Sequence, residues 1–251
     1  MIKLSVNVNK IATLRNSRGG DIPNLSEYSQ LILESGADGL TIHPRSDERH
    51  VRKADVPTLL KLVRSFNKAK RTQKEFNIEG APDKRFLKIV LDNKPDQATL
   101  VPVSPGEITS DHGFNLSRDS KTLIPLIKKL KKERIRVSLF VDAGVKNLEI
   151  AREIGADRIE LYTGPYAEAY DRSREKGSSS LKLYEKTAIE AKKAGLEINA
   201  GHDLDHKNII LFRSLTGLKE VSIGHRLISY ALIIGLEAAV KTYIRNLAKE
   251  I

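Results

Sequence analysis

Eight short apolar runs alternate with amphipathic helical segments along the chain, and this alternation limits the fold more than any other feature. The runs are mostly rich in Val, Ile and Leu, as expected of parallel strands that are covered on both faces. The predicted strands are Lys3–Val8, Gly39–His43, Glu75–Glu79, Gln97–Val101, Arg136–Val141, Arg158–Tyr162, Glu197–Ala200 and Glu220–Ile223. Eight such units in 251 residues predict one α/β domain over residues 1–251, a (β/α)₈ TIM barrel. A doubly wound sheet is the alternative, but no Gly-x-Gly-x-x-Gly follows the first strand.

Helix boundaries are marked at several points between these runs. Asn24 precedes Leu25 with a glutamate three residues on, which is a capping-box-like start. Pro57 lies in a predicted first turn, and Pro82 is expected to open the next helix in the same way. Three glycines stand where helices should end before the following strand: Gly36, Gly155 and Gly195.

Three further segments carry expectations about loops and the end of the chain. Ser104–Gly113 and Thr163–Ser180 are longer than barrel connections need to be, and they are expected to be lids or binding loops on the catalytic face. The run after the first strand, up to Gly19, is unusually polar, so Asn7, Arg15 and Arg18 could reach the barrel mouth. A plain surface loop would explain this polarity equally well. The segment from Leu227 to about Leu247 is expected to close the barrel and to pack on a partner.

Composition narrows the class of protein. Its contents of 40% hydrophobic and 30% charged residues are typical of a globular protein. It has no cysteine, which excludes disulfides, a thiolate nucleophile and Cys-ligated metals. No apolar run approaches the roughly 18 residues of a membrane span, and no signal-peptide core is recognisable. A cytoplasmic location and no membrane partner are therefore expected.

The net charge of +11 allows nucleic acid, anionic small substrates or a basic surface as its explanation. Much of the excess lies in Lys68–Lys74 and in Lys128–Arg134. Apolar spacing at Leu123, Ile127 and Leu130 predicts that the second segment is the solvated face of a helix. Aromatic residues are scarce and do not interleave with the basic runs, so nucleic-acid binding is the weaker alternative.

Groups suited to anionic substrates follow four of the predicted strands. His43, Arg45 and His50 follow the second strand and combine imidazoles with a phosphate-gripping guanidinium. Glu79 ends the third strand, where partial desolvation would make it a usable general base, and a strand-borne Glu160 among apolar neighbours needs a role or a partner. A core histidine, a solvated charge cluster or an ion pair are the ordinary structural alternatives.

Two Gly-His pairs close the last two strands, as Gly201-His202 and Gly224-His225. These positions correspond to the usual phosphate site of a TIM barrel, where glycine lets backbone N–H groups approach an oxyanion. Because histidines are few, none forms a His-x-His pair and the nearby partners are arginines, no metal site is predicted.

The motifs resemble the pyridoxine 5′-phosphate synthase family over essentially the whole chain. The similarity is carried, in order, by Asn7 with Ile11–Asn16, Gly36–Gly39, His43–Arg45, Glu48–His50, Leu100–Pro102, Val137–Phe140, Ile159-Glu160, Thr163-Gly164, Asn199–His202 and Ile223–His225. The resemblance implies a barrel with extra helices that assembles as a homo-octamer. It also implies condensation of 3-amino-2-oxopropyl phosphate with 1-deoxy-D-xylulose 5-phosphate, with release of phosphate and water and with no cofactor.

The resemblance also implies roles for individual residues. His43 and Glu79 match catalytic acid/base residues, His202 a proton donor, and Glu160 a residue that steadies the reacting intermediate. The positions expected to bind the aminoketone phosphate are Asn7, Arg18, Asp203, Gly224 and His225. Those expected to contact the deoxyxylulose phosphate are Arg45, His50 and Thr109.

This chain departs from the family pattern at three places. The family commonly has glycine at position 203, so the Asp203 side chain is expected to point away from the phosphate, leaving its backbone N–H as the contact. Asn9 and Lys10 replace a common Asp-His, and Lys10 is expected to contact substrate oxygens or phosphate. Lys68–Lys74 resembles an insertion before the third strand, away from the catalytic face.

The alternative function is that of another phosphosugar-handling barrel, such as an isomerase or an aldolase. An aldolase would need a Schiff-base lysine on a strand, and Lys3 is a poor candidate for it.

Overall fold

A computed structural model describes residues 1–103, 107 and 109–248, and in it eight parallel strands close into a barrel in chain order. The strands are β1 (Lys3–Asn7), β2 (Gly39–Ile42), β3 (Glu75–Gly80), β4 (Gln97–Leu100), β5 (Arg136–Val141), β6 (Arg158–Tyr162), β7 (Glu197–Gly201) and β8 (Leu218–Ile223). The predicted TIM barrel and its strands are confirmed. The largest shift in a boundary is at β8, which begins two residues before the predicted Glu220.

Helices surround this barrel. They are α1 (Asn9–Asn16), α2 (Leu25–Glu34), α3 (Asp55–Lys70), α4 (Lys84–Asn93), α5 (Leu116–Lys132), α6 (Leu148–Glu153), α7 (Gly164–Arg172), α8 (Arg174–Lys193), α9 (Ile209–Phe212), α10 (His225–Ile234) and α11 (Leu236–Ala248). Within the described ranges, none of them is long and apolar enough to cross a bilayer.

Most of the predicted helix boundaries are confirmed. The Asn24 side chain accepts hydrogen bonds from the backbone N–H groups of Ser26 and Glu27. The three predicted stop glycines have φ values of +107°, +100° and +75°, which favour residues without a Cβ. Pro82 is the exception: it precedes α4, which begins at Lys84 after the Asp83 side chain caps Phe86 N–H.

Two segments that were expected to be loops are helical. The polar run after β1 forms α1. The prediction of a long loop after β6 was wrong, because α7 and α8 fill this segment with only Ser173 between them. The final segment forms two helices, separated at Gly235 with φ +86°. Of these, α11 packs on α2, α9 and β1 and so closes the barrel wall. Within Ser104–Gly113, positions 104–106 and 108 lie outside the described residues, so the predicted lid stays a prediction.

The barrel interior is polar, and the apolar core lies between the sheet and the helices. Ser5 and Thr41 hydroxyls are 2.7 Å apart inside the barrel, and Thr99 donates to Asn77 at 3.2 Å. Towards the amino-terminal end of the strands, Arg158 forms an ion pair with buried Glu220 at 3.3 Å. Because side chains alternate along a strand, residues 158 and 160 of β6 share this inner face. The register therefore turns Glu160 into the barrel.

The basic segments lie where the sequence predicts. Leu123, Ile127 and Leu130 of α5 are buried, whereas the lysines between and after them are exposed. Lys68–Lys74 covers the end of α3 and leads into the amino-terminal end of β3, opposite the carboxyl ends of the strands.

Candidate active site

A cavity of about 270 Å³ opens at the carboxyl ends of the strands. It brings together every predicted site residue except Arg18. The predicted residues in its wall are Asn7, Asn9, Lys10, His43, Arg45, His50, Glu79, Thr109, Glu160, His202, Asp203, Gly224 and His225. The wall also contains residues that the sequence analysis did not single out: Thr13, Arg49, Val101, Ser110, Phe140 and Ser222. Alternation along β5 and β8 could have indicated Phe140 and Ser222, and Val101 directly follows β4. The places of Thr13, Arg49 and Ser110 depend on how loops and helices pack.

Two arginines after β1 are placed away from this cavity. Arg18 is exposed beyond the end of α1, so a single chain does not bring it to the other predicted phosphate ligands. Arg15 is buried and forms a two-pronged ion pair with Asp55, with both N–O distances 2.8 Å. Asp55 also accepts the Arg52 N–H at 2.7 Å, so this pair fixes the segment after β2 rather than the cavity wall.

Glu79 lies at the cavity floor between hydrogen-bond donors from two other strands. The Asn7 amide donates to its Oε2 at 3.2 Å, and the Ser222 hydroxyl donates to its Oε1 at 3.4 Å. Removal from water raises the pKa of Glu79 to about 7, although the Ser222 bond and the Arg45 charge act in the opposite direction. Near neutral pH this carboxyl can therefore both accept and return a proton.

Glu160 is buried deeper, with 3% of its surface exposed. Its Oε2 lies 3.4 Å from the Thr99 hydroxyl, within hydrogen-bond distance. Burial raises the pKa of Glu160 well above its usual range, and the negative charges of Glu79 and Glu220 raise it further. A Cβ at Gly201 would lie 2.4 Å from Glu160 Oε1, so a larger residue there would have to displace this carboxyl group. The site thus holds a neutral carboxylic acid that can donate a hydrogen bond.

A cationic corner lies after β2. The backbone N–H of His43 donates to Asn9 Oδ1 at 3.0 Å, which ties the segment after β2 to α1. The Arg45 guanidinium lies 3.3 Å from the Glu107 carbonyl and 3.4 Å from the Ser110 hydroxyl. Glu107, Asp47 and Glu79 attract the guanidinium charge, but its two hydrogen-bond acceptors are neutral, so this corner suits an anion.

The two imidazoles of this corner are held neutral. Burial, followed by the Arg45 charge, lowers the pKa of His43 well below its usual range. The same two causes lower the pKa of His50 to about 4. The buried Nδ1 of His50 has no hydrogen-bond partner among the described residues. A buried donor or acceptor left unpaired is costly, so this nitrogen is available to a ligand.

A second corner is built from the ends of β7 and β8. His202 Nε2 lies 2.8 Å from the Thr109 hydroxyl, and its ring meets the Tyr162 ring edge-on at 5.2 Å. Gly224 precedes α10, and a Cβ there would lie 3.1 Å from Asn7, so the backbone of β8 approaches β1 closely. The helix begins at His225, and free N–H groups at a helix start favour anions.

The Asp203 side chain contacts its neighbour in the chain, with Oδ2 3.1 Å from Nδ1 of His202. That it points away from the phosphate stays a prediction. The hydrogen bond to His202 is the main reason that the pKa of Asp203 is lowered, and the nearby Arg226 charge adds to this effect. The carboxylate is therefore ionised beside the predicted proton donor.

One group of residues in the described ranges has the ligand types and spacing for a metal ion. Glu107, Asp111 and His112 place ligand atoms within 4.8 Å of one another near the cavity rim. None of the three is a predicted catalytic or binding residue. The strand-end histidines are not part of this group.

The closed barrel, with carboxyl and imidazole groups at its strand ends, defines a (β/α)₈-barrel enzyme. Residues 4–249 match the family described as "Pyridoxal phosphate biosynthesis protein PdxJ", and the chain belongs to this enzyme family. A pyridoxine 5′-phosphate synthase of Leptospira biflexa is 55% identical over 99% of this chain and 98% of its own. One from Christiangramia forsetii is 47% identical over 98% of this chain and all of its own.

Solved structures share the fold at much lower identity. A tryptophan synthase chain from M. tuberculosis superposes with a TM-score of 0.66 at 11% identity, covering 99% of this chain and 93% of that one. At this identity the likeness shows the barrel fold alone.

Proposed function

We propose that this chain condenses 3-amino-2-oxopropyl phosphate with 1-deoxy-D-xylulose 5-phosphate to form pyridoxine 5′-phosphate, phosphate and water. The observation that carries the proposal is the placement of Glu79 and Glu160 between two anion-suited corners in one cavity. Full-length similarity to enzymes named pyridoxine 5′-phosphate synthase supports the same reaction. Two phosphorylated substrates need two anion sites, and the ring-forming steps need groups that exchange protons.

The cationic corner after β2 is proposed to bind the deoxyxylulose phosphate. Arg45 supplies a fixed positive charge, and the unpaired nitrogen of His50 supplies a further contact. Thr109, on the loop after β4, lies at the same cavity wall. Among the described residues, Lys10 is the one lysine in the cavity wall, and it adds a flexible positive charge from the adjoining helix α1.

The corner at β7 and β8 is proposed to bind the aminoketone phosphate. Backbone N–H groups at Asp203, Gly224 and His225 are available at the ends of these strands, and Asn7 borders them. Arg18 remains a predicted ligand of this phosphate although it lies outside the cavity of its own chain. The two phosphates would then stand on opposite sides of the carboxyl pair.

The acid and base steps are assigned to the groups between these corners. Glu79, with its pKa near 7, removes protons and returns them during imine formation and ring closure. His43, neutral and adjacent, serves as a second acid/base group. Glu160, neutral and buried, donates a hydrogen bond to oxygen atoms of the intermediate, and His202 protonates a late intermediate. No metal or cofactor has a place in this proposal.

The alternative functions find less support. An aldolase of this fold would need a strand-borne Schiff-base lysine, but Lys3 forms an ion pair with Glu75 at 2.8 Å at the opposite end of the barrel. Lys10 is on a helix. Nucleic-acid binding still depends on net charge alone, and a salt-sensitive gel shift would be the observation in its favour.

Homo-octameric assembly and a cytoplasmic location are also proposals. Leu232 and Ile233 of α10 are 79% and 81% exposed, and such neighbouring apolar side chains suit a contact between copies of the chain. Light scattering on the purified protein tests the assembly: eight chains are expected, and a monomer would contradict it.

The reaction is tested by phosphate release from the purified protein. We expect release that requires both substrates and stops when either is omitted. Glu79→Gln, assayed beside a surface control such as Glu168→Gln, should lose most of this activity. Phosphate release from one substrate alone would indicate a hydrolysis or an elimination and would reject the proposed condensation.

A further inference from the structure

Asp203 lies at the centre of a chain of charged contacts beside the cavity. Its Oδ2 is 3.1 Å from His202 Nδ1, and its Oδ1 is 3.8 Å from Arg226 Nε. Arg226, in the first turn of α10, is held from the other side by Asp171 of α7, and Asp205 lies 3.8 Å away. The carboxylate therefore stands between one imidazole and one anchored guanidinium.

The backbone that carries this contact is unusual. His202 and Asp203 have φ values of +82° and +59°, so two successive residues with a Cβ adopt the left-handed conformation. The Thr163 hydroxyl lies within hydrogen-bond distance of the carbonyl oxygens of Gly201 and His202, and the Thr163 N–H donates to the Gly201 carbonyl at 3.0 Å, which holds the turn in this shape. Strained backbone of this kind persists where the surrounding structure imposes it, and it is concentrated at functional sites.

We propose that Asp203 is a positioning residue for His202, fixing its ring so that proton exchange with the substrate takes place at Nε2. A carboxylate can only accept, so the hydrogen on Nδ1 is directed to Asp203 and Nε2 is left for the cavity side, where the Thr109 hydroxyl now meets it. This inference rests on the proposed function only in giving His202 the role of proton donor.

The proton balance of this role is simple. Nε2 takes up one proton from solvent or from an intermediate and becomes part of an imidazolium, whose charge the Asp203 carboxylate offsets. The same proton then passes from Nε2 to the reacting intermediate. The Nδ1 hydrogen stays on the ring throughout, so no further reactant is needed.

Besides Asp203, the groups around His202 come from three parts of the fold. Thr109 and Asp111 approach from the loop after β4, Tyr162 from β6, and His225 with Arg226 from α10. Asp111 is engaged with His112 at 2.8 Å. Burial and the Lys10 charge lower the pKa of His225, so it adds little positive charge. Asp203 is thus the anion in direct contact with the ring.

Two substitutions separate positioning from a purely structural role. Asp203→Gly removes the carboxylate but accepts φ +59° without strain, so its Tm should be unchanged or higher. Its kcat should fall about 10- to 100-fold, as is typical when a group that orients a functional histidine is lost. Asp203→Asn keeps an acceptor and tolerates the left-handed backbone, so it should recover part of this loss.

The separation of kcat from KM supplies a readout that a structural role would not give. Both variants keep the backbone N–H at position 203, so kcat should fall while the KM for the aminoketone phosphate changes little. Glu168→Gln removes one charge from α7, where the carboxylate pairs with Arg172, and should leave both constants unchanged.

A measurement independent of turnover decides between the two roles. ¹⁵N NMR of protein labelled at the histidine ring nitrogens reports which nitrogen of the neutral His202 ring carries the hydrogen. The proposal requires the Nδ1–H form to dominate in the wild type, where Nδ1 faces Asp203, and to lose this dominance in Asp203→Gly. The same ring form in both proteins, or losses in both variants accompanied by a lower Tm, would overturn it. If the wild type makes no pyridoxine 5′-phosphate, the proposed function fails, while this measurement still decides the Asp203 contact.

Discussion

Replacing Glu79 by glutamine should cost activity and gain stability, and the gain should depend on pH. The pKa of Glu79 is raised from 4.5 to about 7 in the folded protein, chiefly by removal from water. Each pH unit of this difference is worth about 1.4 kcal/mol, which gives about 3 kcal/mol as an upper bound. Water entering the cavity reduces the effect, so about 1–3 kcal/mol is expected at pH 8.

The sign follows from proton binding in the two states. Between pH 4.5 and 7 the folded chain binds more protons at this carboxyl than the unfolded chain, so wild-type stability falls as pH rises through this window. Glutamine does not titrate, and its amide can still interact with Asn7 and Ser222. The stability advantage of Glu79→Gln should therefore be near zero at pH 4.5 and complete above pH 7.

Calorimetry of both proteins at pH 5 and pH 8 measures this difference. For a chain of this size, about 1–3 kcal/mol corresponds to a Tm increase of roughly 2–10 °C at pH 8. Turnover at pH 8 should fall about 10²–10⁴-fold, because the base is lost. A Tm difference that is equal at both pH values, or near-normal turnover in the folded variant, would refute the assignment of Glu79 as a desolvated base.

Three further predictions concern charge in and below the cavity. Lys10→Ala should raise the KM for deoxyxylulose phosphate about 3- to 10-fold in low salt and less in high salt, while the KM for the aminoketone phosphate changes less. KM values that stay constant across ionic strengths would show that Lys10 contacts only solvent. Binding of the same phosphate should make His50, with its pKa near 4, take up protons, seen as calorimetric heats that depend on the buffer; equal heats in all buffers would contradict this. Arg158→Met should destabilise the fold by about 3–5 kcal/mol in urea unfolding, because it leaves Glu220 buried without its cation, and a loss below about 1 kcal/mol would show that the pair is dispensable.

The barrel could be predicted from the sequence because strand and helix periodicities alternate without interruption. Residues directly at strand ends, such as His43 and Glu79, were predictable for the same reason: parallel strands in a barrel point their carboxyl ends to one face. The helices α1 and α7 were missed because polar segments after a strand resemble loops until tertiary packing is known.

Contacts between loops and helices were beyond sequence reasoning. Arg15 and Arg18 look equivalent in the sequence, yet Arg15 is buried against Asp55 and Arg18 is exposed outside the cavity. The contact of Asp203 with His202 depends on two left-handed residues in succession, which the residue types alone do not predict. Likewise, Thr109 and His202 are 93 positions apart in the sequence, and only tertiary packing brings them into contact.

The central claim is that this cavity joins two phosphorylated substrates into one ring. The most direct test incubates the purified protein with ¹³C-labelled 1-deoxy-D-xylulose 5-phosphate and unlabelled 3-amino-2-oxopropyl phosphate, and analyses the product by mass spectrometry. We expect pyridoxine 5′-phosphate that carries the label, with one phosphate released for each ring formed. A labelled product that lacks the aminoketone nitrogen, or no ring product from protein with intact fold, would contradict the account.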